Sequence, residues 1–590
     1  LNRRKVLKAI AGIGVGGAVF HRALASLAQE ASEITPEMVE KAEWISGLEL
    51  SEEERNATAR SLQRKLAGLA ELRQLKIPND VAPAFTFRTI APAISGTPKI
   101  ERAPTVISNT DAKRPATDEE IAFLPVSALS RLIKNREISS VELTKLYLSR
   151  LKKYNPLLNC VVTLTEELAM KQAKRADAEI AAGKYRGPLH GIPWGAKDLI
   201  AVPGYTTTWG APQFKEQKFD YTATVAKRLE EAGAVLVAKL TLGAIAMGDR
   251  WFGGMTRCPW NYKVGSSGSS AGSASAAVAG LVGFAIGTET LGSIISPSRR
   301  CGATGLRPTF GRVSRYGCMA LSWTMDKVGP IARSVEDCAL VFAAIHGSDG
   351  LDATAESREF AWPPKVDLKS LTVGYTKSRR SIDDRDDIKK LKSLGVKLKE
   401  IEIPSREKMS VRSLTSVLDV EAAAAFEDLT RTGNLEGLNS WGGTFRTASF
   451  ISAVDYVRAM RARRILQDDF EAMMKTVDVL VNANDLVHTN LTGHPSIALP
   501  VGFRERGDLK LPFSTIFTGQ LNRETEMLAL AKAYQDLHTT HLEKPPLDQQ
   551  VKKMADEAAQ EKAEAAEKAN SKQSDSKDQE SEKSGTKKSK

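Results

Sequence analysis

YTATVAKRLEEAGAVLVAKL, residues 221–240, contains a helix, its stop and a strand in direct succession. The helical part ends at Gly233, a residue that tolerates the left-handed backbone at a helix terminus. The short apolar run VLVAKL that follows has the length and composition of a buried strand. TVDVLVN repeats that style at 476–482. Elsewhere Ser139 with Glu142 and Ser334 with Asp337 have the spacing of capping boxes, and the second opens SVEDCALVFAAIHG, which stops at Gly347. Helices alternating with buried strands read as an α/β fold.

Working outward, this pattern fills residues 116–545 of the 590-residue chain. Residues 1–30 have a basic head with Arg3 and Arg4, an uncharged run from Ala9 to Phe20, and small residues at Ala23, Ala25 and Ala28. They read as a signal peptide of twin-arginine type, too short to span a bilayer, and predict export to the periplasm or cell surface of a bacterium. Residues 31–115 read as a helical segment followed by a Pro-rich arm. Residues 546–590 are so poor in apolar side chains that a disordered, charged tail is expected. Of the net charge of +12, residues 1–30 carry +4 and residues 551–590 carry +1, which leaves only +7 over the 520 residues between, and no dense Lys/Arg cluster interleaved with aromatics exists, so no nucleic-acid partner is expected. Cys160, Cys258, Cys301, Cys318 and Cys338 are scattered and odd in number, which indicates buried thiols rather than a disulfide framework or a zinc site.

The most unusual text is VGSSGSSAGSASAAVAGLVGFAIGTETLGSIISPSRRCGATGLRPT, residues 264–309. A Gly/Ser linker does not fit, because the stretch continues into apolar sequence between structured flanks. A phosphate-cradling loop lacks the Gly-Lys-Ser/Thr ending. Gly268-Ser269-Ser270-Ala271-Gly272 matches the nucleophile elbow G-x-S-x-G, which would make Ser270 the nucleophile, but CPWNYKVGS before it is not an apolar strand. Upstream, LHGIPWGAKDLI places Lys197 in an apolar strand-like run, where desolvation lowers the pKa of an amine and frees it to act as a base. His190, in the same run, reads as a structural histidine. Trp194 and Trp209 read as packing residues, and Trp251 as packing with a place near the site.

The ordered blocks LHGIPWGAKD, AGAVLVAKL, GSSGSSAGSA, GTETLGSIISP, CGATGLRPTFGRVSRYG and DKVGPIARSVEDCAL resemble the amidase signature family over roughly residues 120–540. The resemblance implies a large mixed β-sheet flanked by α-helices, no metal and no organic cofactor. It also implies a Ser-Ser-Lys triad in which Lys197 is the base, Ser269 the middle serine and Ser293 the nucleophile. A cis peptide from Gly268 to Ser269 is implied, as is an oxyanion site at the backbone of Thr290, Leu291, Gly292 and Ser293. The family's usual text, Gly-Thr-Asp-x-Gly-Gly-Ser-Ile-Arg, is altered here to Glu289, Leu291 and Ile295. The loss of both Asp and Arg implies a rearranged acid–base contact, with Arg299 or Arg300 as the expected replacement guanidinium. Leu291 is expected to restrict the oxyanion turn.

The function implied is an exported serine amidase that hydrolyses the C–N bond of a small-molecule carboxamide through an acyl-enzyme. Two alternatives stand beside it. One is a glutaminase resembling the A subunit of a glutamyl-tRNA amidotransferase, which would be cytoplasmic. The other is a catalytically weakened binding protein, suggested by Leu291 and Ile295. No stable membrane span is expected, and nothing in the sequence specifies an oligomeric state.

Overall fold

The computed structural model describes residues 33–78, 81–85, 107, 113–378, 381–405, 410–483, 485–506 and 509–565. The stretch read as a signal peptide, most of the Pro-rich arm and residues 566–590 lie outside them.

An eleven-stranded mixed sheet runs through the body. In chain order its strands are β1 (Val161–Leu164), β2 (Pro193–Lys197), β3 (Val235–Leu240), β4 (Phe284–Glu289), β5 (Thr304–Arg307), β6 (Lys327–Ala332), β7 (Thr372–Thr376), β8 (Lys397–Ile401), β9 (Val479–Val481), β10 (Ser496–Arg506) and β11 (Leu509–Gly519). Their spatial order is β1-β3-β2-β4-β6-β5-β10-β11-β9-β7-β8. β2 lies parallel to β3 on one side and to β4 on the other, whereas β6 runs antiparallel to both β4 and β5. The helix and strand read from residues 221–240 are present as Thr224–Glu231 and β3, with Gly233 at φ 82° between them.

β2 and β3 are buried along their whole length. Alternation along each strand divides the interior into two layers. Leu236 of β3 and Ile286 of β4 pack on one face with Leu129, Leu132 and Phe342. Val235 and Val237 of β3 and Ala285 of β4 pack on the other with Leu151, Ala274 and Ala277. The helix Ala271–Val278, which follows the Ser/Gly stretch, is buried at every residue. Its small side chains are therefore packing features and not linker composition. A Cβ on Gly272 would lie 2.5 Å from both the Cys160 carbonyl oxygen and the Thr241 amide nitrogen. Both obstacles are backbone, so Gly272→Val is expected to destabilise the fold by about 1–3 kcal/mol, read as a lower urea midpoint at unchanged slope.

The N-terminal helical segment forms Pro36–Ser46 and Glu52–Gln74, capped by Thr35 and Ser51. The second helix lies on Ala453–Met474, where Leu69 and Leu72 meet Met460 and Arg73 pairs with Asp455 at 2.7 Å. The far end differs from expectation. Residues 547–565 are helical, where a disordered tail from 546 was expected. Leu547 is buried against the second core layer with Val551 and Met554 beside it, and Gln550 hydrogen-bonds Tyr262 and Pro259. A few apolar positions on one helical face therefore suffice to dock a segment whose average composition is polar. Among the described residues no helix is long and apolar enough to cross a membrane.

Candidate active site

Parallel strands β2 and β4 end side by side, and the site is built at their C-terminal ends, where open α/β sheets place their ligands. Lys197 is the last residue of β2 and is fully buried. Its Nζ lies 2.8 Å from Ser269 Oγ, 2.8 Å from Thr288 Oγ1, 3.2 Å from Ser270 Oγ and 3.3 Å from the Thr288 carbonyl oxygen. Burial pulls its pKa down to about 7, against the opposing pull of the Asp326 and Glu289 carboxylates. The neutral amine has two N–H groups and one lone pair. The Thr288 carbonyl can only accept. Ser270 Oγ spends its own proton on that carbonyl at 3.0 Å and takes the Thr288 N–H at 3.1 Å, so toward Lys197 it also accepts. With both N–H groups engaged there, the amine lone pair is left for a hydroxyl proton, and the Ser269 and Thr288 hydroxyls, each at 2.8 Å, are in reach to give one.

The same hydrogen bonds argue against Ser270 as an elbow nucleophile. Ser270 is fully buried, and its hydroxyl is committed to Thr288 and Lys197. The strand before it, Asn261–Gly265, belongs to a two-stranded sheet with Arg257–Cys258 rather than to the main sheet. Ser270 acts as a clamp: its N–H donates to the Ser293 carbonyl at 3.0 Å, which ties the Ser269 loop to the Ser293 loop.

The Gly268–Ser269 peptide departs from the expectation of a cis bond. Among the described residues the one cis peptide is Trp362–Pro363. The chain reverses here through two successive left-handed residues, Ser267 at φ 64° and Gly268 at φ 58°. The Asp249 carboxylate anchors them by accepting the Ser267 N–H at 2.7 Å.

Ser293 sits on the turn between β4 and the helix Ile295–Cys301 and is half-buried, in contrast to the enclosed Ser269. The N–H groups of Thr290, Leu291, Gly292 and Ser293, the expected oxyanion donors, make no hydrogen bond to another described residue. The left-handed residue of this turn is Gly292, at φ 83°. Leu291 is not in that region, so its side chain carries none of the torsional cost expected of it. It packs outward with Leu491, Val487 and Leu69.

The replacement guanidinium is Arg307, not Arg299 or Arg300. The latter two are exposed on the helix after Ser293. Arg307, at the end of β5, reaches inward and pairs with Glu289 at 2.7 Å, both fully buried. Burial alone would raise the Glu289 pKa, but Arg307 and Lys327 bring it down to about 2, so it is a carboxylate. Sequence pattern does not reveal this partner, because Arg307 lies beyond the motif in the chain and only strand pairing brings it there. Thr288, Asp326 and Lys327 were missed likewise. Asp326 accepts the Thr290 hydroxyl at 2.6 Å and the N–H groups of Leu321 and Ser322 at 2.8 and 2.9 Å. Lys327 is buried with its ammonium directed at the Met325 carbonyl, and burial lowers its pKa strongly. A small cavity beside Thr288 and Thr290 is walled by Leu199, Met319, Asp326 and Ala246. Ala246 in its wall has φ 55°, and Ile245, which precedes it in the chain, has φ 48°. For a β-branched residue that conformation is strained, which is the kind of backbone found at functional sites.

The remaining singled-out residues are structural. His190 is fully buried, with its Nδ1 accepting the Arg186 N–H at 3.1 Å and its Nε2 3.2 Å from Glu179. Trp194 is buried in the core and stacks with Phe284. Trp209 packs with Phe214 and Phe426, and Trp251 is half-buried beside Phe252. All five cysteines are free; Cys318 is partly exposed and the others are buried. No cluster of three or more His, Cys, Asp or Glu that could hold a metal occurs among the described residues.

The family model that matches the chain is the amidase model, over residues 142–484. The A subunit of glutamyl-tRNA(Gln) amidotransferase from Carboxydothermus hydrogenoformans is 32% identical over 495 residues, covering 72% of this chain and 100% of that protein. The protein of the same name from a Marinomonas species is 31% identical, covering 72% and 98%. Among solved structures, the peptide amidase of Stenotrophomonas maltophilia superimposes with a TM-score of 0.62 at 28% identity, covering 72% of this chain and 98% of that one. An amidase family protein of Bacillus anthracis does so with a TM-score of 0.64 at 25% identity, covering 73% and 93%.

Proposed function

Starting from the fact that this chain belongs to the amidase signature family, we propose that it is a serine amidase that hydrolyses a small carboxamide through an acyl-enzyme on Ser293. The observation that carries the reading is the fully buried Lys197 with its Nζ 2.8 Å from Ser269 Oγ. A serine hydroxyl is a weak nucleophile at neutral pH and needs a base within hydrogen-bond reach. Neutral Lys197 takes the proton of Ser269, and Ser269 takes that of Ser293 as its Oγ adds to the amide carbonyl. The oxyanion is received by the N–H groups of Leu291, Gly292 and Ser293. Collapse returns the proton along the same path to the leaving amine, and water then cleaves the ester bond to Ser293.

Incubation with a fluorophosphonate, followed by peptide mapping, tests the assignment. Label on Ser293 supports it, and label on Ser270 or no label at all overturns it. Export is proposed on Arg3 and Arg4 followed by the apolar run Ala9–Phe20. An intact Leu1 on native protein confined to the cytoplasmic fraction would refute it.

A second reading draws on the relatives at 31–32% identity, each the A subunit of an amidotransferase. Under that reading the carboxamide is the side chain of glutamine, and activity depends on a partner protein. Glutamine turnover that appears only with a co-purifying partner would favour it. The binding-protein alternative loses its motive, because Leu291 leaves the turn unstrained and Glu289 has found its guanidinium.

A further inference from the structure

Glu289 is the last residue of β4, and its carboxylate is enclosed completely. Oε2 accepts the N–H groups of Ile294 and Ile295 at 2.8 and 2.9 Å. Oε1 accepts Arg307 Nη1 at 2.7 Å and Asn490 Nδ2 at 2.8 Å. The four acceptor sites of the carboxylate are thereby filled. The two backbone donors directly follow Ser293, so the side chain of Glu289 closes the loop on which the nucleophile rides. Arg307 is fixed in turn by the His494 carbonyl at 2.8 Å and Ser496 Oγ at 2.6 Å, both on the β10 side.

We infer that Glu289, held by Arg307 and Asn490, is a positioning residue that sets Ser293 against Ser269. The inference rests on the proposed role of Ser293. The loop is held elsewhere by the Thr290 hydroxyl on Asp326 at 2.6 Å, by Ser270 N–H on the Ser293 carbonyl and by Ser296 N–H on the Gly292 carbonyl, but among the described residues Glu289 is the side chain that binds the backbone directly after Ser293. A carboxylate accepting two successive N–H groups fixes both torsion and distance, and charge-assisted bonds in an enclosed site are stiffer than neutral ones. Misplacing a nucleophile by about 1 Å costs about 10²-fold in rate. Ile295 stands where the family text has arginine, so the guanidinium is supplied here from β5, across the sheet, instead of from the loop itself.

The test compares Glu289→Gln, the double variant Glu289→Gln/Arg307→Met and Asn490→Ala with wild type. Readouts are kcat, KM, the rate of fluorophosphonate labelling at Ser293, and the melting temperature. Glu289→Gln leaves Arg307 as an unpaired buried charge, so it loses stability as well as rate. The double variant removes both charges and is expected to regain melting temperature. Its kcat and labelling rate are expected to stay about 10²-fold down with KM within twofold. Asn490→Ala removes one of four bonds and is expected to lower kcat about fivefold while staying folded. If the double variant regains both stability and wild-type labelling rate, or if Asn490→Ala labels at the wild-type rate, the pair is structural only and the inference fails. If wild type itself does not label at Ser293, the parent assignment of the nucleophile has failed instead.

Discussion

Lys197→Ala lowers kcat/KM for a simple amide by about 10³-fold, within the range a positioned general base contributes. The substitution removes the one amine that faces the Ser269 hydroxyl at 2.8 Å. Ser293→Ala has the larger effect, on the order of 10⁶-fold in kcat, because no covalent intermediate can then form. Ser269→Ala falls near Lys197→Ala, since it cuts the same proton path, and the double variant is no worse than the single ones. Ser270→Ala behaves differently. It removes a buried hydroxyl bonded to both the N–H and the carbonyl of Thr288, so its cost is mainly in stability, about 1–3 kcal/mol for the groups left unpaired. Steady-state hydrolysis of an amide and an anilide, with melting curves for each variant, separates these effects. Full activity in Lys197→Ala, or loss of activity in Ser270→Ala without loss of stability, would contradict the assignment.

The second large effect is on pH. Lys197 serves as a base only when neutral, and burial brings its pKa to about 7. Below that value the fraction of neutral amine falls tenfold per pH unit, so kcat/KM is expected to be about 100-fold lower at pH 5 than on the plateau above pH 8. The acidic limb therefore belongs to an amine and not to a histidine, and replacing His190 or His494 leaves its midpoint in place. Stability runs in the same direction. The folded-state pKa of Lys197 is depressed below the unfolded value of about 10.4, so between pH 7 and 10.4 the unfolded chain binds more protons, and this site adds stability as pH rises through that window. A pH–rate profile that is flat from 5 to 8 would show that Lys197 is neutral throughout or is not the base.

Gly292, with its positive φ, and Gly272, pressed between two backbone segments, show why the Ser/Gly stretch reads so distinctly: each requirement acts on the residue itself and is written locally. The same holds for the Gly233 stop and the mostly apolar, fully buried run of β3, which follow from backbone freedom and burial over a few neighbouring positions. Lys197 was legible through the ordered motif blocks around it rather than through its apolar run alone, since Lys239 in VLVAKL is an equally buried amine. The helix at 547–565 was not legible, because Leu547, Val551 and Met554 signal docking only once the surface they meet exists.

The amino-acid sequence by itself determined the α/β class and the small-residue stretch that lets loop and helix approach the strands, and it singled out Lys197, Ser269 and Ser293 as the proposed triad. Tertiary structure alone decided which charge answers Glu289. Arg299 and Arg300 are nearer in the chain, but they lie on a helix that turns them to solvent. Arg307 is placed against the carboxylate because β5, β6 and β4 lie side by side in the sheet. It also decided that Gly268 and Ser269 are joined by a bond other than cis, the reversal being taken up by two left-handed residues anchored on Asp249. Short-range rules act through torsion and hydrophobic periodicity and are carried by neighbours in sequence. Pairing of buried charges is set by the three-dimensional distance at which desolvation is compensated, and that distance exists only after the sheet has formed.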